Sequence, residues 1–148
     1  MEVRVLGLHD LDALLALYSH LIEDDLPLSD ETARLRYEEM LGRDGLSVYG
    51  GFADGFLASS CTLIVVPNLT RGGMPYAFIE NVVTDAAHRR KGLGQAVVKA
   101  AINDACAAGC YTVRLMTGGK RPGTLDFYKN CGFEMLKHGL EVRRIPPR

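Results

Sequence analysis

The stretch 79–94, Ile-Glu-Asn-Val-Val-Thr-Asp-Ala-Ala-His-Arg-Arg-Lys-Gly-Leu-Gly, constrains this chain more than any other. A β-branched run stops at Asp85, a polar turn follows, and Gly92-Leu93-Gly94 opens an alanine-rich helix over 94–108. Strand, basic glycine turn and helix in that order leave several backbone N–H groups unpaired where the helix dipole is positive, beside Arg89, Arg90 and Lys91. Such a turn is suited to phosphate. Two familiar phosphate loops do not fit it. A P-loop needs Gly-x4-Gly-Lys-Ser/Thr, whereas Gly119-Lys120 is followed by Arg121 and Arg114 stands where the first glycine belongs. A dinucleotide fingerprint needs a glycine three residues after Gly94, and that residue is Val97.

The rest of the chain supplies an α/β frame for this unit. Glu2–Leu6 predicts a first strand, and a helix begins at Leu8-His9-Asp10, with Asp10 as its N-cap and Leu11, Leu14, Leu15, Leu17 and Tyr18 at helical spacing. Ser29, three residues before Thr32, precedes a second helix that stops at Gly42. Residues 46–52 and 56–66 flank the turn Ala53-Asp54-Gly55 and predict an antiparallel hairpin. The breaker-rich loop 68–75 carries Arg71, read as a solvated charge or a substrate contact, and Tyr76–Thr84 is the strand feeding the phosphate turn. After the central helix, 110–116 reads as a strand parallel to it, 124–130 as a short helix, and 133–136 and 140–145 as final strand segments. The expectation is one domain, 1–148, with a mixed sheet of about six or seven strands and about four helices.

Composition removes other classes. With 148 residues and a net charge of −1, the chain has no global field to concentrate polyanions, which disfavours nucleic acid even with His88–Lys91 available. No apolar run reaches membrane-spanning length and Met1-Glu2-Val3-Arg4 lacks a signal-peptide pattern, so a cytoplasmic protein without membrane association is expected. Cys61, Cys106, Cys110 and Cys131 form no paired ligand motif and read as buried free thiols, with no metal.

Arg-x-x-Gly-x-Gly at 89–94, after a strand carrying Glu80 and before Phe127-Tyr128-Lys129-Asn130-Cys131-Gly132-Phe133, resembles the GCN5-related N-acetyltransferase (GNAT) superfamily over almost the full chain. The resemblance implies a GNAT fold and acetyl-CoA as cosubstrate, with Arg89, Arg90, Lys91, Gly92, Leu93 and Gly94 holding the coenzyme pyrophosphate. Val82, Val83 and Thr84 would lend backbone groups to the pantetheine arm, and Tyr128 matches a tyrosine near the thioester sulfur. Where the family often carries an asparagine seven residues before that tyrosine, this chain has Arg121. A phenol can protonate the departing thiolate. A closer resemblance, in 79–83, 109–111, 127–133 and Val142-Arg143-Arg144, is to the glucosamine-6-phosphate N-acetyltransferases. It implies that Asn81 and one of Arg143 or Arg144 meet the acceptor, although Asn81 replaces an aspartate and Met116 and Thr117 replace an acidic residue. A homodimer is the expected assembly.

Glu80 is the candidate base. Strand alternation places Phe78, Glu80 and Val82 on one face and Ile79, Asn81 and Val83 on the other. A carboxylate among Phe78, Ile79 and Val82 is expected to be partly desolvated, which raises its affinity for a proton. The chemistry expected is transfer to the primary amine of a small molecule by direct attack, with the oxyanion stabilised by a backbone N–H near Val82 or Val83. A non-catalytic acyl-CoA sensor would keep the turn and do no chemistry.

Overall fold

The computed structural model describes residues 1–118 and 120–145. It falls into two compact units, 1–115 and 116–148. The first unit holds a five-stranded sheet in the order β1-β2-β3-β4-β5, with β1 Glu2–Val5, β2 Leu46–Ala53, β3 Phe56–Val66, β4 Tyr76–Thr84 and β5 Val113–Arg114. Neighbours from β1 to β4 run antiparallel, and β4 and β5 run parallel, joined through helix α3, Leu93–Ala107. Helices α1, Leu11–Tyr18, and α2, Asp30–Leu41, lie between β1 and β2 in sequence.

Each face of the sheet has its own cover. On one side Leu6, Leu14, Leu17, Tyr37, Val48, Leu57 and Val83 form a buried core under α1 and α2. On the other, α3 turns Leu93, Val97, Val98, Ala101 and Ala105 inward. Gly50-Gly51 of β2 shows how tightly both covers sit. A Cβ on Gly51 would meet Val97 Cγ2 at 2.6 Å and Leu93 Cδ1 at 2.9 Å, and one on Gly50 would meet Leu57 Cδ1 at 2.8 Å. Such overlaps cost more than a core methyl contributes, so both positions need glycine.

Ser29 caps α2 as its spacing implies, its side chain accepting from Thr32 N–H at 3.2 Å. Asp10 does not cap α1 through its side chain. Its carboxylate is taken by Arg4, with two contacts at 2.8 Å, and by the Gly7 N–H at 2.8 Å, closing a short 3-10 turn at Leu8–Asp10. The Arg4 hydrogen bonds hold its pKa down to about 2. Burial pushes the Tyr37 phenol up to about 12.

The sheet has fewer strands than expected. Residues 110–116 supply two ladder residues, because only Ala77 and Phe78 of β4 pair with them. In the second unit, helix α4 spans Thr124–Asn130, and 133–136 and 140–145 form no strand. An apolar alternation becomes a strand only beside a paired backbone. Met135, Leu136, Leu140 and Val142 are instead exposed, Val142 fully. Each of the four cysteines is a thiol rather than half of a disulfide; Cys61 and Cys131 are buried, but Cys110 is half-buried and Cys106, on the outer side of α3, is exposed. No helix among the described residues is long and apolar enough to cross a membrane.

Candidate active site

β4 starts as an ordinary inner strand, with Leu63, Ile64, Val65 and Val66 of β3 opposite Ile79, Phe78, Ala77 and Tyr76, and β5 alongside Ala77 and Phe78. Two changes follow. Pairing with β5 stops after Phe78, so the edge of β4 from Glu80 to Thr84 has no strand beside it within this unit. The register with β3 also slips: Thr62 faces Glu80 and Ser60 faces Val83, leaving Asn81 and Val82 opposite Cys61 alone. Asn81 takes φ +51 at this bulge, a left-handed conformation that asparagine tolerates better than β-branched residues do.

The bulge overturns the simple alternation. Ile79 lies opposite Leu63, but the extra residue carries Val83 across to the Leu6, Leu14 and Val48 core, on the side that Glu80 occupies. Glu80 is exposed rather than desolvated, because the β5 ladder that would have flanked it ends at Arg114. Beneath it the same face is polar and closed. Thr62 and Ser60 are buried, and the Tyr18 phenol beside them is raised by burial, their hydroxyls opposing the shift.

Beyond Thr84 the chain is anchored by a residue that motif reading missed. Asp85 accepts from Ala87 N–H at 3.0 Å, capping a 3-10 turn at Ala86–His88, and its own N–H reaches Ala58 O at 2.8 Å. Its two oxygens also meet His88 Nδ1 at 2.6 Å and His20 Nε2 at 3.2 Å. Its pKa is lowered, first by the His88 contact, then by the Ala87 N–H and the two imidazoles. The His88 ring stacks on Phe56, centroids 5.4 Å apart. The legible signal was an Asp two residues before the N–H that it caps; the partnership with His20, just beyond α1, was not local.

The turn itself then forms as expected. Arg89 Nε donates to Thr84 O at 3.1 Å, Arg90 takes φ +60, and Gly92, at φ +81, is the N-cap of α3. The first intrahelical bond runs from Ala96 N–H to Gly92 O, so the N–H groups of Leu93 and Gly94 lie above the first possible acceptor. A Cβ at Gly92 would meet nothing within 4 Å beyond its own neighbouring backbone. Arg89, Arg90 and Lys91 are exposed around this helix start. Donors, positive dipole end and three cations are what a pyrophosphate requires, and the residues present fit one.

Along β4, Val83 O accepts from Ser59 Oγ at 2.9 Å, and Ser59 Oγ lies 2.9 Å from Thr84 Oγ1. These bonds fix the strand beyond the bulge from the β3 side, and within the first unit no strand pairs with its other edge.

In the second unit, Tyr128 sits half-buried on α4, edge-to-face with Phe127 at 5.0 Å and with Phe133 at 6.0 Å. Its carbonyl accepts from Cys131 N–H and Phe133 N–H, so the Phe-Tyr-x-x-x-Gly-Phe spacing folds as one closed helix end. Arg143 pairs with Glu141 at 2.9 Å in an irregular segment, and the strand alternation expected to aim one of Arg143 or Arg144 inward is absent there. No group of three metal-ligating side chains occurs among the described residues.

Residues 14–133 match the acetyltransferase (GNAT) family. The chain belongs to that family. As a GNAT protein it is of the acetyl-CoA-dependent N-acyltransferase class. A Trypanosoma brucei brucei relative named glucosamine 6-phosphate N-acetyltransferase is 36% identical over 145 residues, covering 96% of this chain and 95% of that one. A solved structure of an Agrobacterium tumefaciens str. C58 protein called a putative acetyltransferase superposes with a TM-score of 0.93 at 42% identity, covering 97% of this chain and 100% of that one. Aminoglycoside N-acetyltransferase AAC(6')-Iy, solved with CoA, shares the fold at a TM-score of 0.81 and 19% identity, over 97% of this chain and 93% of its own.

Proposed function

We propose that this GNAT protein transfers the acetyl group of acetyl-CoA to the primary amine of a small molecule, with glucosamine 6-phosphate as the first acceptor to test. The observation that carries the reading is the bulged β4, which carries an exposed carboxylate, then a backbone edge with no strand paired to it in the first unit, then the donor-rich start of α3. The order along one strand matches the order of the reaction's needs. The Leu93 and Gly94 amides with Arg89, Arg90 and Lys91 hold the coenzyme pyrophosphate, and Val82, Val83 and Thr84 offer backbone partners to its pantetheine arm.

In the reaction, Glu80 takes a proton from the ammonium, and the amine attacks the thioester carbon. A backbone N–H near Val82 or Val83 stabilises the oxyanion. The C–N bond forms and the nitrogen gives up its second proton to solvent, the C–S bond breaks, the thiolate takes a proton from Tyr128, and Glu80 and the Tyr128 phenolate return to their starting states by proton exchange with solvent. Asn81, next to Glu80, and Arg143 or Arg144 are assigned acceptor contacts through the resemblance to glucosamine-6-phosphate N-acetyltransferases, and the 36% identity to the trypanosomal relative supports that acceptor. Orientation and fixed dipoles supply most of the acceleration.

Both units are read as one catalytic domain, 1–148, working in the cytoplasm as a homodimer; the exposed Leu136, Leu140 and Val142 are the surface that motivates the dimer. Light scattering tests the assembly. The function is tested by thiol release from acetyl-CoA across amines and amino sugars. Release with at least one amine is expected. Binding of acetyl-CoA without release for any amine would make the protein a sensor.

A further inference from the structure

Two arginines in the first unit are arranged unlike surface charges. Arg114 lies over the Tyr76 ring at 5.2 Å and the Tyr111 ring at 5.8 Å, and its Nη2 donates to Tyr111 Oη at 2.9 Å. Arg71, from the loop before β4, lies over the same Tyr111 ring at 5.7 Å. Among the described residues, neither guanidinium has a carboxylate within ion-pairing distance, whereas Arg4, Arg34, Arg36, Arg43 and Arg143 each do. A guanidinium has five N–H donors, and Arg114 spends one on Tyr111. Aromatic platforms fix its plane without neutralising it.

The register then decides what these donors face. Arg114 pairs with Phe78, before the bulge, so it shares a face with Tyr76, Phe78 and Glu80. The edge-to-face contact of Tyr76 with Phe78 at 5.9 Å and the seat of Arg114 over Tyr76 agree with that placement. Glu80 lies two residues farther along the neighbouring strand, which puts the two backbones roughly 8 Å apart. The Glu80 carboxylate and the Arg114 guanidinium, which has no ion pair among the described residues, thus stand on one face of neighbouring strands.

We propose that Arg114, steered by Tyr111 and Tyr76 and joined by Arg71, is the anion-binding residue of the acceptor site, so that the acceptor is an amine carrying a phosphate or carboxylate several bonds from its nitrogen. This rests on the acetyltransferase reading and deepens it. It places acceptor-anion recognition on the sheet beside the base, in residues that the family motifs do not include. A phosphate or carboxylate bridged by the Arg114 fork fixes the far end of the acceptor while Glu80 addresses the nitrogen.

The test is calorimetric titration of the protein, saturated with coenzyme A, with glucosamine, glucosamine 6-phosphate and glucosaminuronate. The parent is expected to bind one or both anionic sugars at least tenfold more tightly than glucosamine, and the favoured one tells phosphate from carboxylate. Arg114→Gln abolishes that preference and leaves glucosamine binding within about twofold, Arg114→Lys retains part of it, and Tyr111→Phe weakens it while keeping the ring. Thermal melts select folded variants, and the lysine variant keeps the test valid if the glutamine variant unfolds. Equal affinity of the parent for all three sugars, no binding of any, or an undiminished preference in Arg114→Gln overturns the proposal. Thiol release with the same sugars tests the transfer reaction separately: selective binding lost in Arg114→Gln without turnover leaves the subsite standing and removes the enzymatic reading.

Discussion

The two halves of β4 have the same kind of sequence and opposite uses. Tyr76–Ile79 is held on both sides and presents side chains, ending in Glu80 with Arg114 beside it. Asn81–Thr84 has a paired strand on one side only within the first unit, and on its way to the turn it offers backbone rather than side chains. A single extra residue separates them. The comparison teaches that a strand can address an acceptor and a coenzyme together if a bulge ends one ladder and re-aims the other.

The largest way to sharpen this comparison is Glu80→Gln, which removes the base and keeps the shape. Turnover should fall by about 10² to 10⁴-fold with acetyl-CoA affinity unchanged. Full turnover in the variant would dissociate the first half of β4 from the chemistry. Gly92→Glu attacks the other half by placing a side chain and a negative charge at the helix start. Acetyl-CoA affinity should drop at least tenfold, about 1.4 kcal/mol. The left-handed φ of +81 adds a stability cost of about 1–2 kcal/mol, visible in the melt. A folded variant that binds acetyl-CoA like the parent would show that the turn is not the coenzyme site.

Asn81→Val tests the bulge between the halves. Valine resists φ +51, so unfolding free energy should fall by about 1–2 kcal/mol, while Asn81→Gly should hold or gain stability. Equal stability of the valine and parent chains would mean that the strand straightens at no cost. Tyr128→Phe is the smallest change, because a thiolate is already a fair leaving group. A several-fold loss of kcat with no change in acetyl-CoA binding is expected, and unaltered kcat would leave Tyr128 with only its packing between Phe127 and Phe133.

Much of this was legible in the sequence, because the relevant signals were local. The turn at 53–55, the cap at Ser29, the strands at 56–66 and 76–84, and the glycines opening α3 each follow from residues within one turn or one strand. The bulge was not legible, since Ile-Glu-Asn-Val-Val contains no glycine or proline, and its register is set by β3. The same holds for Asp85, whose partner His20 is remote in sequence, and for the tail, where apolar alternation at 133–136 and 140–145 lacked a neighbouring backbone. Arg71 read as a solvated charge or a substrate contact and Arg114 only as part of the 110–116 strand, until the parallel pairing of Phe78 with Arg114 put the latter on the Glu80 face. Sequence patterns report which elements form; which side chains meet depends on register.

Backbone amide chemical shifts on titration with coenzyme A test the division of β4 most directly, because no residue is altered. The account predicts that the largest perturbations fall on Asn81–Thr84 and Arg89–Gln95, with Tyr76–Ile79 and β1 nearly unmoved. Perturbations centred on Tyr76–Ile79, or absent from Arg89–Gln95 at saturating ligand, would contradict it.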